Sequence, residues 1–521
     1  MIKLSINSIV LQQLQQAFPT PPNSAERQLA KYVSTLQRLL NQAILRKGGY
    51  QIAKKWFSIS LDQLTHEGGR IGKPQIWMHT WLRENGFALV EPFVLGDSVT
   101  GVVSKVCLTN MVEVNDSIES FLTGSETLDD LYEKVETMSG EDFLATYLPK
   151  LQQDDEDGVD LDAMYHPLPV DIASLSRFIP WLLDGASGFK KPQKRLMLTQ
   201  ALIIKKTASL LDGNFYQRKK ISPFGRTYYE GVSIQNIHKT LRKAVLGHCW
   251  EYDINSSVMA YKMGYAAIFY ALLPPKKQAT SLEEKFKCTI SLIKDKSATR
   301  EKIRQEVFGD DFSLSVEKQL AAVKRAITAI GFGAKVRLHG WNYGEDSVQQ
   351  PALSEIFENI HSRRRFVNSD FVKSLMVEQR LLDKVIYSET LKTHPNLLSN
   401  SDFLNAQGKP IRNKILSFAY QTGETMVMDE FRRLATEWNH KVVANIHDAV
   451  FLENRLSQSR KRYIEDCIRM DFCNPYWSFD EVEIDGFQPD WETVLANEKA
   501  AIRWEGEALA KFLLGEHSTQ D

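Results

Sequence analysis

Asp253 closes the run His248-Cys-Trp-Glu-Tyr-Asp253, and Ile-Asn-Ser-Ser-Val258 then leads into an apolar, helix-like stretch from Met259 to Leu273. Asp448 lies in Lys441-Val-Val-Ala-Asn-Ile-His447-Asp448-Ala-Val-Phe-Leu-Glu453. There, two β-branched runs flank a His-Asp tip, which predicts a hairpin with Asp448 at its turn. Two carboxylates on adjacent strand ends are what a pair of divalent cations about 3.5–4 Å apart requires. Such a pair activates a hydroxyl and stabilises a leaving pyrophosphate in an in-line displacement. Taken singly, each Asp is more often a strand-end cap or a turn residue, so further residues must support the chemistry.

A third segment, Val323-Lys324-Arg325-Ala-Ile-Thr-Ala-Ile-Gly-Phe332-Gly333, places Lys324, Thr328 and Phe332 on one helical face. A cation at one end and an aromatic at the other suit a triphosphate and a base, although an ordinary amphipathic helix has the same pattern. A fourth segment is Pro223-Phe-Gly225-Arg226-Thr-Tyr-Tyr229, followed by Ser233-Ile-Gln235-Asn236-Ile237 and Leu241-Arg242-Lys243. Here Gly225 permits close backbone approach, and Arg226 and Arg242 are candidates to grip phosphates.

The elements around these residues read as helix-rich α+β. Helical spacing over 26–55 (Leu29, Tyr32, Val33, Leu36, Leu39, Leu40, Ile44) precedes two alternating runs, Phe87 to Leu95 and Thr100 to Leu108. Helices followed by a hairpin are the layout of a winged helix. Residues 170–217 read as helices, Ile411 to Leu434 as one long helix, and Trp477 to Ile484 as strand before a final helix from Trp491 to Leu514. Gln421, Thr422 and Glu424 on the long helix are candidate minor-groove or metal-proximal groups.

The 521 residues, 43% hydrophobic and 25% charged, fit a soluble globular protein of roughly three domains. Five Cys without a C-x-x-C pair argue against a disulfide framework and a Cys-based zinc site. No signal-peptide pattern or long apolar run points to secretion or a membrane. The formal net charge of -1 taken alone argues against a nucleic-acid partner. Its distribution argues the reverse. Glu113 to Asp162 holds sixteen acidic and two basic residues, a net of -14, so the remainder carries +13. Lys190 to Lys243 holds thirteen Lys or Arg against Asp212 and Glu230, the footprint expected where phosphates are neutralised. The acidic block reads as helix followed by a mobile loop, Gln152 to Gly158, with no calcium-loop spacing.

The order Arg226, Asp253, Lys324 to Phe332, Asp448 resembles the motifs of the single-subunit polymerase superfamily, that is, bacteriophage-type or mitochondrial RNA polymerases and family A DNA polymerases. Asp253 falls at motif A, Lys324-Arg325 to Phe332-Gly333 at the fingers helix, and Ile446-His447-Asp448 at motif C. The resemblance covers roughly 221–455. It implies a right-hand fold of palm, fingers and thumb, with Asp253 and Asp448 holding two Mg²⁺ ions that Mn²⁺ can replace. It further implies catalytic roles for Asp253, Asp448, Lys324 and His447. Nucleotide contacts would come from Arg325, Phe332, Gly333 and Val258, and template or primer contacts from Arg226, Gln235 and Arg242. The family often has Arg four residues before the fingers Lys. Leu320 stands there in this chain, so triphosphate binding would draw on Lys318, Arg325 or Lys335. Ala449 follows the motif C Asp, and Phe332 replaces the common Tyr.

The implied domains are a winged-helix-like accessory domain (1–112), an acidic helix and linker (113–164) and a polymerase body (165–521). The body divides into thumb-like helices 165–220, palm and fingers 221–455 and a C-terminal extension 456–521. The implied activity is template-directed nucleotidyl transfer from nucleoside triphosphates on a nucleic-acid template, expected to be DNA, by a monomer in the cytoplasm of a bacterium or phage-infected host. Val258, five residues after Asp253, lacks the bulk and charge of the Glu that blocks a ribose 2′-hydroxyl in DNA polymerases. Together with Gly225-Arg-Thr-Tyr228 it favours a DNA-directed RNA polymerase. Gln235-Asn236-Ile237 and the short Arg226-to-Asp253 and Lys324-to-Asp448 spacings favour the alternative, a family A-like phage or plasmid DNA polymerase. A non-catalytic replication protein that only binds nucleic acid is the second alternative, and a two-metal nuclease is disfavoured by the Lys/Phe helix.

Overall fold

The computed structural model describes residues 2–488 except 20–21, 47, 74, 95–102, 116–119, 123, 185–186, 221, 223–225, 275, 277, 279, 310–313, 334–352, 354–355, 358 and 406. The chain is helix-rich α+β and forms two units: Met1–Lys220 with Tyr229–His248 and Ile484–Asp521, and Ile221–Tyr228 with Cys249–Glu483. No described helix is long and apolar enough to cross a membrane.

In the first unit the helix Pro22–Ile44 buries Leu29, Leu36, Leu40 and Ala43 along one face. It ends about ten residues before the periodicity suggests, because Gly48 takes a φ of 71° and turns the chain into the strand Tyr50–Gln51. That strand opens a sheet ordered Tyr50–Gln51, Trp56–Ile59, Ser104–Leu108, Val90–Val94. The expected hairpin is the antiparallel pair Val90–Val94 and Ser104–Leu108, with Val90 opposite Leu108; its turn lies outside the described residues.

The acidic segment departs from the expected loop. It forms the helices Leu128–Thr137, Gly140–Tyr147 and Pro149–Glu156, so Gln152 to Glu156 are helical. Pro149 presets the first turn. The Asp154 carboxylate then accepts a hydrogen bond from the Tyr165 hydroxyl at 2.7 Å and pairs with Arg218 at 3.3 Å. The basic helix Lys191–Leu210 packs on Leu128–Thr137, and Lys205 meets Glu136 at 3.0 Å.

The second unit is built on a sheet ordered Val442–Ile446, Ala449–Leu452, His248–Ile254, Phe479–Asp485. Alternation buries Tyr252 and Ile254 on one face of the third strand, where they join Phe431, Val450, Leu452 and Phe479 in the core. The long helix Arg412–Glu437 supplies Phe431 and matches the expected span. The expected helix from Trp491 to Leu514 lies outside the described residues.

Candidate active site

Asp253 is positioned by the turn that follows it. Ser256 adopts a left-handed φ of 51°, so the strand His248–Ile254 gives way abruptly to the helix Ser257–Ala271. This conformation is costly for a residue with a side chain and is held by bonds to segments distant in sequence. The Asn255 amide donates to the Ser478 carbonyl at 2.8 Å and its side chain to Ile293 O at 3.0 Å, while the Ser256 hydroxyl donates to Leu292 O at 2.8 Å.

Asp448 occupies the second place of a two-residue turn, for Ile446 pairs directly with Ala449. His447 fills the first place at φ 54°, and its ring lies 5.2 Å from that of Tyr228. The two strands pair so that Asp253 stands opposite Ala449, and the Ile254 amide donates to Asp448 O at 3.1 Å. The strand pairing therefore brings the two carboxylates to one end of the sheet.

Both face a cavity of about 330 Å³ lined also by Val258, Lys324, Phe332 and Glu424. Arg226 reaches it too and pairs with the buried Glu424, its Nε 3.1 Å from Oε2. Lys324, Thr328 and Phe332 share the cavity face of the helix Val316–Gly331. Two cations not singled out from the sequence line it as well: Lys296 and Arg300, one turn apart on the helix Lys296–Phe308. Their i, i+4 spacing was the available signal, but nothing in the sequence ties that helix to Asp253. The cavity thus joins four cations to three carboxylates.

Several expected contributors are not in the cavity lining. Arg325, one residue past Lys324, is exposed and does not line the cavity. Gly333 ends the Phe332 turn at φ 78° outside the lining, and His447 supports the hairpin rather than the wall. Gln235 and Arg242 belong to the first unit, where Arg242 Nε donates to Ile234 O at 3.1 Å. Of the substitutes for the missing Arg, Lys318 is exposed off the cavity and Lys335 lies outside the described residues.

Electrostatically the site is short of positive charge at Asp253. Burial, then the charges of Asp448 and Glu251, push the Asp253 carboxyl up to about 7, with Lys296 opposing. Burial raises the Glu424 carboxyl, with Arg226 opposing. Burial works against the Arg226 guanidinium, but the charge and hydrogen bond of Glu424 together with the nearby Asp448 and Tyr228 outweigh it and the pKa rises. Burial lowers Arg300, whose buried Nε has no hydrogen-bond partner. Two crowded hard-oxygen donors fit Mg²⁺. Among the described residues no group of three or more His, Cys, Asp or Glu could hold a metal, so an ion here would complete its shell with water and substrate oxygens, as Mg²⁺ does.

No protein-family model and no curated protein matches the chain. Among solved structures it is similar to the POL domain of Pol1 from M. smegmatis in complex with DNA primer-template and dNTP, at 12% identity and a TM-score of 0.36. That alignment covers 70% of this chain and 64% of the neighbour, so the chain spans less than two thirds of the neighbour's length.

Proposed function

We propose that the protein is a template-directed nucleotidyltransferase that extends a nucleic-acid strand from nucleoside triphosphates. The observation that carries this reading is the cavity itself. Paired strand-end carboxylates, Asp253 and Asp448, face Lys324, Lys296 and Arg300 across a space closed by an aromatic ring, Phe332. Two Mg²⁺ ions held by the aspartates would supply charge neutralisation and a more acidic attacking hydroxyl. The chain's own residues do the rest. Lys324, Lys296 and Arg300 bind and orient the triphosphate, Phe332 packs against the base, and Val258 forms the wall near the sugar. In this reading the four-stranded sheet is a palm and the helix Val316–Gly331 belongs to the fingers. Residues 1–112 are a winged-helix-like accessory domain.

The same chemistry serves either sugar. Val258 presents no carboxylate to a 2′-hydroxyl, which favours ribonucleotides, whereas the short segment between Lys324 and Asp448 favours a DNA polymerase. Primer extension with Mg²⁺ or Mn²⁺, offering rNTPs and dNTPs on DNA and RNA templates, decides both questions. Asp448→Asn is expected to abolish incorporation while leaving template binding intact. Normal extension by that variant would end this mechanism. A wild-type protein that incorporates neither class on any template would instead be a non-catalytic binder.

A further inference from the structure

The first unit holds a second cleft, about 1000 Å³, roughly three times the catalytic cavity. Residues of 44–46 and 48–52, Phe121 with Gly124, and residues of 192–200 wall it, and 236–239 complete the lining. The walls are fixed by their own bonds. The Tyr50 hydroxyl donates to Leu122 O at 2.9 Å, Gln200 Nε2 donates to Leu45 O at 2.7 Å, and Arg195 donates to Phe121 O at 2.6 Å while lying over the Phe121 ring.

Arg46, Arg195, His238 and Lys239 line this cleft, and no carboxylate does. Arg46 is held by the Ser58 carbonyl, which leaves its charge uncancelled. Lys239 in the lining, and Lys190 and Lys191 next in the chain to its Pro192 and Gln193, are exposed and make no ion pair among the described residues. Elsewhere the same basic stretch is consumed internally: Lys205 by Glu136, Arg218 by Asp154 and Glu230, and Lys206 by carbonyls ending the helix Leu128–Thr137. Lys239 and the neighbouring Lys190 and Lys191 are not consumed in this way, and the cleft they border has no acid in its lining. The lining also holds amides (Gln51, Gln193) and rings (Tyr50, Phe121), groups that meet unpaired bases by hydrogen bonding and stacking.

We infer that this cleft binds a segment of single-stranded nucleic acid, with phosphates at Lys239 and the flanking Lys190 and Lys191 and bases against the amide and aromatic walls. The site lies wholly within the first unit and needs no nucleotide addition, so it goes beyond the proposed reaction and can be tested apart from it.

The test uses the full chain and fluorescently labelled single-stranded DNA and RNA oligonucleotides, with affinity measured against salt for the wild type and for Lys191→Glu/Lys239→Glu. Both lysines are exposed, and a matching unfolding midpoint confirms that the variant is folded. The expected result is at least a tenfold loss of affinity and a log–log salt slope shallower by about 1.4, two phosphate contacts at about 0.7 each. Photo-crosslinks from a thiouridine-bearing oligonucleotide are expected within 44–52, 190–200 or 236–239. Unchanged affinity and slope, or crosslinks confined to 249–483, would overturn the assignment. So would equal competition by a poly-glutamate peptide, which would make the partner an acidic protein. If the variant loses affinity as expected while primer extension by the wild type fails, the cleft stands and only the catalytic reading falls.

Discussion

Lys296 and Arg300 come from adjacent turns of one helix to line the cavity that holds both aspartates, and in the proposed reaction they would take over the task that Leu320 cannot perform. Arg300 in particular has a buried Nε without a hydrogen-bond partner, a donor left unmet within the protein. Arg300→Ala is expected to raise the KM for nucleoside triphosphate about tenfold, since a charge-assisted hydrogen bond to phosphate is worth about 1.5–3 kcal/mol. Lys324→Ala is expected to lower kcat/KM about a hundredfold. Steady-state single-nucleotide incorporation measures both, and an unchanged KM in Arg300→Ala would remove that residue from the triphosphate site. Val258→Glu places a carboxylate at the wall next to Asp253 and is expected to shift selectivity toward dNTPs at least tenfold. An unchanged rNTP/dNTP ratio would show that Val258 is not at the sugar.

The element that carries Lys324 is anchored by a buried network absent from any motif. Lys262, fully buried on the helix after Asp253, donates to Gly331 O at 2.7 Å and pairs with Asp383 at 2.5 Å, and Tyr420 donates to the same Asp383 at 2.6 Å. Lys262 thereby ties the end of the Val316–Gly331 helix, next to Phe332, to the helices Asp370–Thr393 and Arg412–Glu437. Lys262→Met strands Asp383 as an uncompensated buried charge, so a loss of about 3 kcal/mol in urea unfolding is expected, with Lys262→Met/Asp383→Asn recovering at least about 1 kcal/mol. No recovery in the double variant would show that packing, not the ion pair, is what Lys262 supplies.

The network also marks how far the sequence could be read. Local patterns disclosed the strand ending at Asp253, the His447-Asp448 turn, the one-faced helix of Lys324 and Phe332, and the long helix ending at Glu437, because each depends on neighbours a few residues away. Lys262 with Asp383, Arg226 with Glu424, and the arrival of Lys296 and Arg300 depend on tertiary packing across 121, 198 and about 45 residues, and leave no local period. Helix ends were misplaced where one residue decided them, at Gly48 and at Pro149.

At the scale of the whole molecule, charge separated along the chain is rejoined by folding. The second unit holds 34 basic and 31 acidic residues, a net of +3, which leaves -4 on the first. The -14 block and the basic stretch that follows it thus largely cancel inside one unit, through Asp154 with Arg218 and Glu136 with Lys205. This assigns the acidic segment a structural task and separates its residues by consequence. Asp154→Ala leaves the Tyr165 hydroxyl without its acceptor and Arg218 with Glu230 alone, and about 1–2 kcal/mol of destabilisation is expected. Asp155→Asn/Asp157→Asn removes two charges that make no ion pair among the described residues and is expected to stay within about 0.5 kcal/mol. A mobile guard repelling nucleic acid would behave oppositely. Neutralising Asp155 and Asp157 would then raise oligonucleotide affinity several-fold, and Asp154→Ala would do so without loss of stability. Urea unfolding and oligonucleotide titration of both variants separate the two cases, and intact stability in Asp154→Ala would refute the docked segment.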